Sequence, residues 1–397
     1  MSSSNLVRIT FIPEVSYGVT PGVGNFKTAR FISEGLSGTP DTVESQQIRV
    51  DRMSSGQIVT GLQVGGDLAF ELAREAAIDD FFQSAMYSTW NTLALVTVDL
   101  TISLAPDEIT RATGSWIGDG IVVGDFLTLS GFTAPANNTQ VMVTEVVSAT
   151  VIKVVGPTGT PLVAGTGATT AYKRADKIGI GTTKYSFSME KAFLDLTTKA
   201  IIYRGMIVSN FDLNVTFGEL ANGSFTFSGN DYVTADAANE FITDGRTITA
   251  PATTNTLNGS VDMPFLASSA LGALDSADLK LQSVEMSLNN NLTPQNVIGD
   301  IAPEDYSPGT AQIEMSLSAY LRDEAWGILA KKITQDSFQL GFMVKNSGGW
   351  YGFYFPAIQV SFEDPASGGQ NQDVVLDMTG QAKVGPNGES ALTIYRS

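Results

Sequence analysis

Three adjacent pairs of carboxylates, Asp79-Asp80, Glu304-Asp305 and Glu363-Asp364, are the first residues to test for chemistry, because acid/base hydrolysis and metal binding both use paired acids. Neighbours in sequence are badly placed for either. On a strand they point to opposite faces, and on a helix they diverge by about 100 degrees. The better reading is solvated charge on an acidic surface. Gly179-Ile180-Gly181-Thr182-Thr183-Lys184 has the look of a phosphate loop, but it lacks the Gly-Lys-Ser/Thr ending and opens no helix, which leaves a turn. Gly348-Gly349-Trp350-Tyr351-Gly352-Phe353-Tyr354-Phe355 could stack sugars or bases. Its neighbours are not basic, and aromatic residues are common in buried strands, so core packing is favoured.

The 397 residues include no histidine and no cysteine. The usual general base, the Ser/His/Asp and Cys/His arrangements, His- or Cys-ligated zinc and any disulfide framework are therefore missing. The expectation is a non-enzyme without cofactor or metal. A formal net charge of −18 argues against a protein that grips nucleic-acid phosphates, which needs clustered Lys and Arg. With 43% hydrophobic and 16% charged residues the chain reads as folded. Met1-Ser2-Ser3-Ser4-Asn5 has no basic stretch followed by an apolar core, and no apolar run approaches the roughly 20 residues needed to span a bilayer. A soluble protein without a membrane anchor, made in a reducing compartment, is expected.

The elements that would position these residues form a repeat. Phe211, Leu213 and Val215 alternate as on one face of a half-buried strand, followed by a turn at Asn222-Gly223 and a second strand through Phe225 and Phe227. Ile358, Val360 and Phe362 repeat that spacing before Val374–Gly380. Upstream, the alternating segment 67–72 runs into 73–86, where Ala77, Ile78, Phe81, Phe82 and Ala85 share one helical face. Ile313, Met315 and Leu317 alternate likewise ahead of an expected helix at 321–332. A long, polar, turn-rich connection precedes each strand–helix pair, 38–61 and 289–309, and such loops usually have a job. Between the first helix and its hairpin, residues 91–183 carry short Val- and Thr-rich strands separated by turns, the pattern of a small sandwich or barrel.

The expected fold is mainly β: two tandem β-sandwich or barrel units, each with a flanking α-helix, plus a small all-β domain inserted in the first. The divisions are 1–90 for the first part of unit one, 91–183 for the insert, 184–243 for the rest of unit one, 244–258 for a linker and 259–397 for unit two. Without the insert each half has about 140 residues, near the usual size of one domain.

Several segments carry a resemblance. Glu14-Val15-Ser16-Tyr17-Gly18-Val19-Thr20-Pro21, Ile48-Arg49-Val50-Asp51-Arg52, the Gly65–Leu72 strand, the Gly205–Gly229 hairpin, Asn290-Asn291-Leu292, Ile298-Gly299 and Leu392-Thr393-Ile394-Tyr395-Arg396 resemble, in order, tail tube proteins of long-tailed bacteriophages. The likeness covers both halves but not the insert, although Gly124–Phe132 is similar to accessory β-domains of phage tail proteins. It implies a structural virion protein, made in the bacterial host cytoplasm, whose sheets line a ring and whose rings stack into a tube for DNA passage. It also implies partners: further copies of the chain, tape-measure and tail-terminator proteins, and DNA in transient, non-sequence-specific passage through an acidic lumen. In that family the long loop reaches the adjacent ring, which assigns Asp41, Arg49, Asp51, Arg52, Asn291, Asp300, Glu304 and Tyr306 to stacking.

The chain departs from the single-domain pattern by its duplication. If a ring needs six units, two per chain give a trimer with pseudo-sixfold symmetry. A β-rich surface-layer protein or adhesin with a carbohydrate-binding insert is the alternative, which an export signal would favour. A carbohydrate-active enzyme on a β-sandwich would need convergent carboxylates and an aromatic cleft.

Overall fold

The computed structural model describes residues 3–48, 50–51, 53, 56–104, 107–157, 162–167, 169–197, 199–235, 245–251, 256–257, 265–269, 280–322, 326–329, 333, 336–365, 369–370 and 372–397. The chain is mainly β. Eight strands form its central run: β1 (Ser33–Glu34), β2 (Gln57–Glu71), β3 (Lys199–Thr216), β4 (Asn222–Gly229), β5 (Leu281–Asn289), β6 (Gln312–Tyr320), β7 (Gly349–Ser361) and β8 (Val375–Ala382). They lie in the order β1–β2–β4–β3–β5–β6–β8–β7, every neighbour antiparallel.

Side chains alternate between faces along each strand, so opposed residues form rows that are wholly inward or wholly outward. One inward row reads Phe70, Gly223, Leu213, Met286, Met315, Gly380, Val360. Its large side chains are all buried. Within it the two halves of the chain repeat the same ladder. Leu68, Phe225 and Phe211 stand side by side in the first half, as Ile313, Ala382 and Ile358 do in the second. Glycine recurs at the same place in both. A Cβ on Gly223 would lie 2.1 Å from the carbonyl oxygen of Asp212, and one on Gly380 2.7 Å from that of Gln359. Both sites therefore require glycine for close backbone approach. Seven residue pairs between β3 and β5, from Asn210–Asn289 to Thr216–Ser283, weld the halves into one sheet.

A second layer covers the inward face. In the first half it contains Val7–Pro13, Phe187–Phe193 and the leading part of β3; in the second, Phe338–Asn346, Thr393–Arg396 and the leading part of β7. Both long strands thus serve two layers, and each has a register irregularity against its neighbour near the crossing, at Phe187/Met189 and Phe338/Leu340. Such bulges bend a strand without ending it.

Helix α1 (Ala76–Met86) lies between the layers, and the five residues of its expected apolar face are all buried. Its Phe82 ring is 5.1 Å from Phe211 and 5.3 Å from Tyr351, so one side chain packs on both halves. Burying a phenylalanine stabilises by roughly 1.5–3 kcal/mol before packing is counted. The second helix is described only as α2 (Trp326–Leu329); residues 323–325 and 330–332 of the expected span lie outside the described residues. Within the described parts of 244–258, Ile248–Thr249 pairs in parallel with Phe26–Lys27, and buried Leu257 bonds through its backbone to Leu72 and Ala221.

A separate eight-stranded sheet lies within residues 96–174, around a core of its own that includes Trp116, Leu127, Ile152 and Tyr172. Its sequence interrupts the first half, yet it docks on the second. Phe126 and Met142 pack with Trp350, Tyr354 and Tyr395. Fully buried Asp125 accepts from the Tyr395 hydroxyl at 3.1 Å and pairs with the Lys177 ammonium at 2.8 Å, which satisfies a charge that would otherwise be costly there.

Candidate functional site: a polar sheet face, its edges and two loops

Apart from Ala69, two outward rows of the central sheet are polar from end to end. One reads Ala69, Ser224, Asp212, Ser287, Glu314, Gln381, Gln359. The next reads Glu71, Asn222, Asn214, Glu285, Ser316, Thr379, Ser361. With Asp67 and Asp377 in flanking rows, Asp212, Glu314, Glu71 and Glu285 charge this face negatively, and no Lys or Arg occupies these two rows. Short donors hold several of the acids: Ser224 donates to Asp212 at 3.1 Å, Ser318 to Asp377 at 2.7 Å and Gln312 to Glu314 at 3.1 Å. A surface of this charge repels phosphate. Sequence reasoning left these acids unassigned, although Asp212 and Asn214 alternate with Phe211 and Leu213 and could have been read from that pattern.

Among the described residues, the two ends of the run are edges. Beyond the Phe338–Ile358 pair, no ladder among the described residues covers the outer side of β7. At the other end Ile32, which precedes β1 and donates its amide to the Ala69 carbonyl at 2.7 Å, is 58% exposed. This apolar side chain is uncovered where the sheet stops among the described residues.

Both long connections lie at one end of the sheet. The strand Ser37–Glu44 pairs with the first half of β2 and carries it past Val64, where β4 ends, as a two-stranded arm. Asp41 lies on the arm and accepts from the Gln63 amide at 3.0 Å, and Asp51 is exposed near the tip. Arg49 and Arg52 lie outside the described residues. The second connection folds back, with Thr293–Gln295 and Asp305–Ser307 pairing as a short hairpin. Asn291 takes a left-handed φ of 47° and donates to the Thr310 carbonyl at 2.8 Å. Asp300 accepts from the Ala302 amide at 3.3 Å, and Glu304 is exposed. Tyr306 is only 9% exposed, and its hydroxyl donates to the Gly229 carbonyl at 3.1 Å. The Leu62 amide donates to the Ile301 carbonyl at 2.7 Å, so the second loop rests on the base of the arm. Asp41, Asp300 and Tyr306 thereby line one groove of about 870 Å³, whereas Asp51, Asn291 and Glu304 do not.

A family model for phage tail tube proteins matches residues 4–382. The chain belongs to the phage tail tube protein family. It is a structural protein of the virion tail. A search of the curated proteins finds no match.

Asp79, Asp80 and Asp305 take part in the fold of this tail tube protein, and the expectation of solvated charge needs correction for the first pair. Asp79 is buried, bonded to Arg74 and to the Tyr351 hydroxyl at 2.9 Å and paired with Arg396 at 2.9 Å, because α1 turns it toward β7 and the C-terminal strand. Burial pushes the Asp80 carboxyl above its ordinary range, while the bonded Lys27 pulls the other way. Asp305 pairs with Lys184, whose ammonium also sits 4.7 Å from the centre of the Tyr17 ring. Glu363 and Asp364 are exposed. In the look-alike phosphate loop, Gly179 ends a strand, and a Cβ at Gly181 would meet the Tyr87 carbonyl at 2.6 Å. Tyr351, Phe353 and Phe355 of the aromatic cluster are fully buried, as core packing requires.

Proposed function

We propose that three chains close edge to edge into a ring whose polar face lines a channel, and that stacked rings form the tube through which DNA leaves the virion. The observation that carries this reading is the β3–β5 junction, which joins one half of the chain to the other. Moved along by one half, the same junction sets the outer edge of β7 against the β1 edge of the next chain. Phe211 opposes Leu288 and Leu213 opposes Met286; Ile358, the counterpart of Phe211, is already paired with Phe338 on that side, so the corresponding contact is Val360 with Ile32. Closure covers Ile32 and joins the two edges. Three chains supply twenty-four strands, and a barrel of that size measures about 40–50 Å between opposite backbones at ordinary strand spacing and tilt. The acidic rows then face the lumen, where repulsion keeps passing DNA from adhering.

The remaining assignments follow from that orientation. The segment 91–183 is the outer domain, between the two parts of unit one. Asp41, Arg49, Asp51, Arg52, Asn291, Asp300, Glu304 and Tyr306 belong to the end that meets the next ring. Tape-measure and terminator proteins engage the tube inside and at its end, after assembly in the host cytoplasm.

The chain's lack of cysteine makes a clean test possible. Directly opposed residues place their Cβ atoms about 4.5–5.5 Å apart, near disulfide range. Mild oxidation of assembled Ile32→Cys/Val360→Cys protein should give crosslinked dimers and trimers on a denaturing gel, and nothing larger. A ladder reaching six chains would overturn the trimer. Assemblies that resist crosslinking would overturn the edge register.

A further inference from the structure

The arm and the folded-back loop are counterparts by ladder register, since each precedes the equivalent strand, β2 or β6. Only one of them projects. Residues Gln57–Gln63 of β2 lie beyond the last partner on β4, and their ladder partners among the described residues are Thr39–Glu44, an overhang of roughly 20 Å at strand rise. A two-stranded ribbon is marginal in water on its own. This one also exposes Val43, Ile48, Val50, Met53 and Ile58, more apolar surface than an uncovered ribbon should carry. The other loop is tied down by the Leu62–Ile301 backbone bond, by Tyr306 on Gly229, and by the Asn290 amide, which donates to the carbonyls of Ala85 at 3.0 Å and Val208 at 3.1 Å.

At the opposite end of the same sheet, the β3–β4 turn presents Phe217, 74% exposed, together with exposed Leu220. The equivalent β7–β8 connection buries its phenylalanine, Phe362, and shows Glu363, Asp364 and Asp373 to solvent. Rings stacked head to tail bring the arm end of one against the turn end of the next. Charge agrees with that meeting: Arg49 and Arg52 flank Asp51 in the arm's sequence, while Glu219 lies in the turn and Glu71 ends β2 beside it.

We infer that stacking is carried by one arm per chain, whose apolar tip seats on the Phe217–Leu220 turn of a chain in the adjacent ring, and that the second loop braces the arm. This rests on the stacked-ring reading. It gives three contacts of this kind per ring interface rather than six.

Two variants and their mixture test it by electron microscopy. The arm variant Ile48→Ser/Val50→Ser/Met53→Ser and the turn variant Phe217→Ser/Leu220→Ser should each form single rings and no tubes. Mixed, the intact arm of the turn variant meets the intact turn of the arm variant, so ring pairs should appear without longer tubes. Ile298→Ser, at the exposed tip of the brace, should leave tube length unchanged. Tubes in either variant alone, a mixture without pairs, or loss of tubes in Ile298→Ser would each overturn the inference while leaving the rings standing. Unaltered protein that forms no rings would overturn both readings.

Discussion

Around Leu213 the sheet is covered by the 11-residue helix α1 and flanked by a projecting arm. Around Val360 the ladder is the same, but the arm's counterpart folds back and a separate sheet packs on the neighbouring strands. What the halves share is register, and what separates them is cover. The physical reason lies in how each tolerates change. Slipping a strand by one residue turns every core side chain to the other face, so ladder positions cannot drift singly. A cover only has to fill volume with apolar groups, and different shapes can do so.

The largest expected effect tests whether the halves are one body. Phe82→Ala removes the side chain that packs on both Phe211 and Tyr351, and should cost about 3–5 kcal/mol. A single urea transition at lower midpoint is expected; two separated transitions would break the claim that α1 couples the halves. Next come the twin glycines. Gly223→Ala and Gly380→Ala should each cost about 1–3 kcal/mol through overpacking. Gly223 should be the worse, because its Cβ would come closer to backbone, 2.1 Å against 2.7 Å. Equal losses would show that the two ladders relax alike, contrary to the geometry.

A smaller effect concerns the sheet that covers only the second half. Tyr395→Phe removes one of three partners of the Asp125 carboxylate, leaving the Lys177 ammonium and the Val122 amide, for about 1 kcal/mol. Hydrogen exchange should rise around residues 121–127 while the β3–β5 junction keeps its protection; a rise at both would mean that docking supports the whole sheet. Smallest is a pH effect inside that docked sheet. The Tyr172 hydroxyl, and then Arg111, hold the Asp119 carboxyl below its ordinary range. Its contribution is complete above the ordinary carboxylate range and is lost as pH falls through the lowered value. Asp119→Asn should therefore lower Tm slightly at neutral pH, with the gap to the unaltered chain closing in acid. A gap independent of pH would trace the effect to packing instead.

Local pattern was enough for much of this molecule. Alternation at Phe211, Leu213 and Val215 and at Ile358, Val360 and Phe362 marked two equivalent strands. The spacing of Ala77, Ile78, Phe81, Phe82 and Ala85 marked the buried face of α1, because side-chain direction repeats with backbone period and needs no distant partner. The acidic pair Asp79-Asp80 was misread for the complementary reason. Its environment comes from Arg396 and Tyr351, some 300 residues away in sequence, and no local period encodes such a neighbour.

By itself, the sequence determined an acidic, cysteine- and histidine-free β-protein with a repeated ladder, since composition and side-chain alternation are properties of the chain alone. Tertiary structure decided which copy's loop projects and which becomes a brace, where the 96–174 sheet docks, and that one edge leaves Ile32 uncovered. Those outcomes depend on long-range backbone bonds, Leu62 to Ile301 and β3 to β5, and on which apolar surfaces remain once the strands have paired.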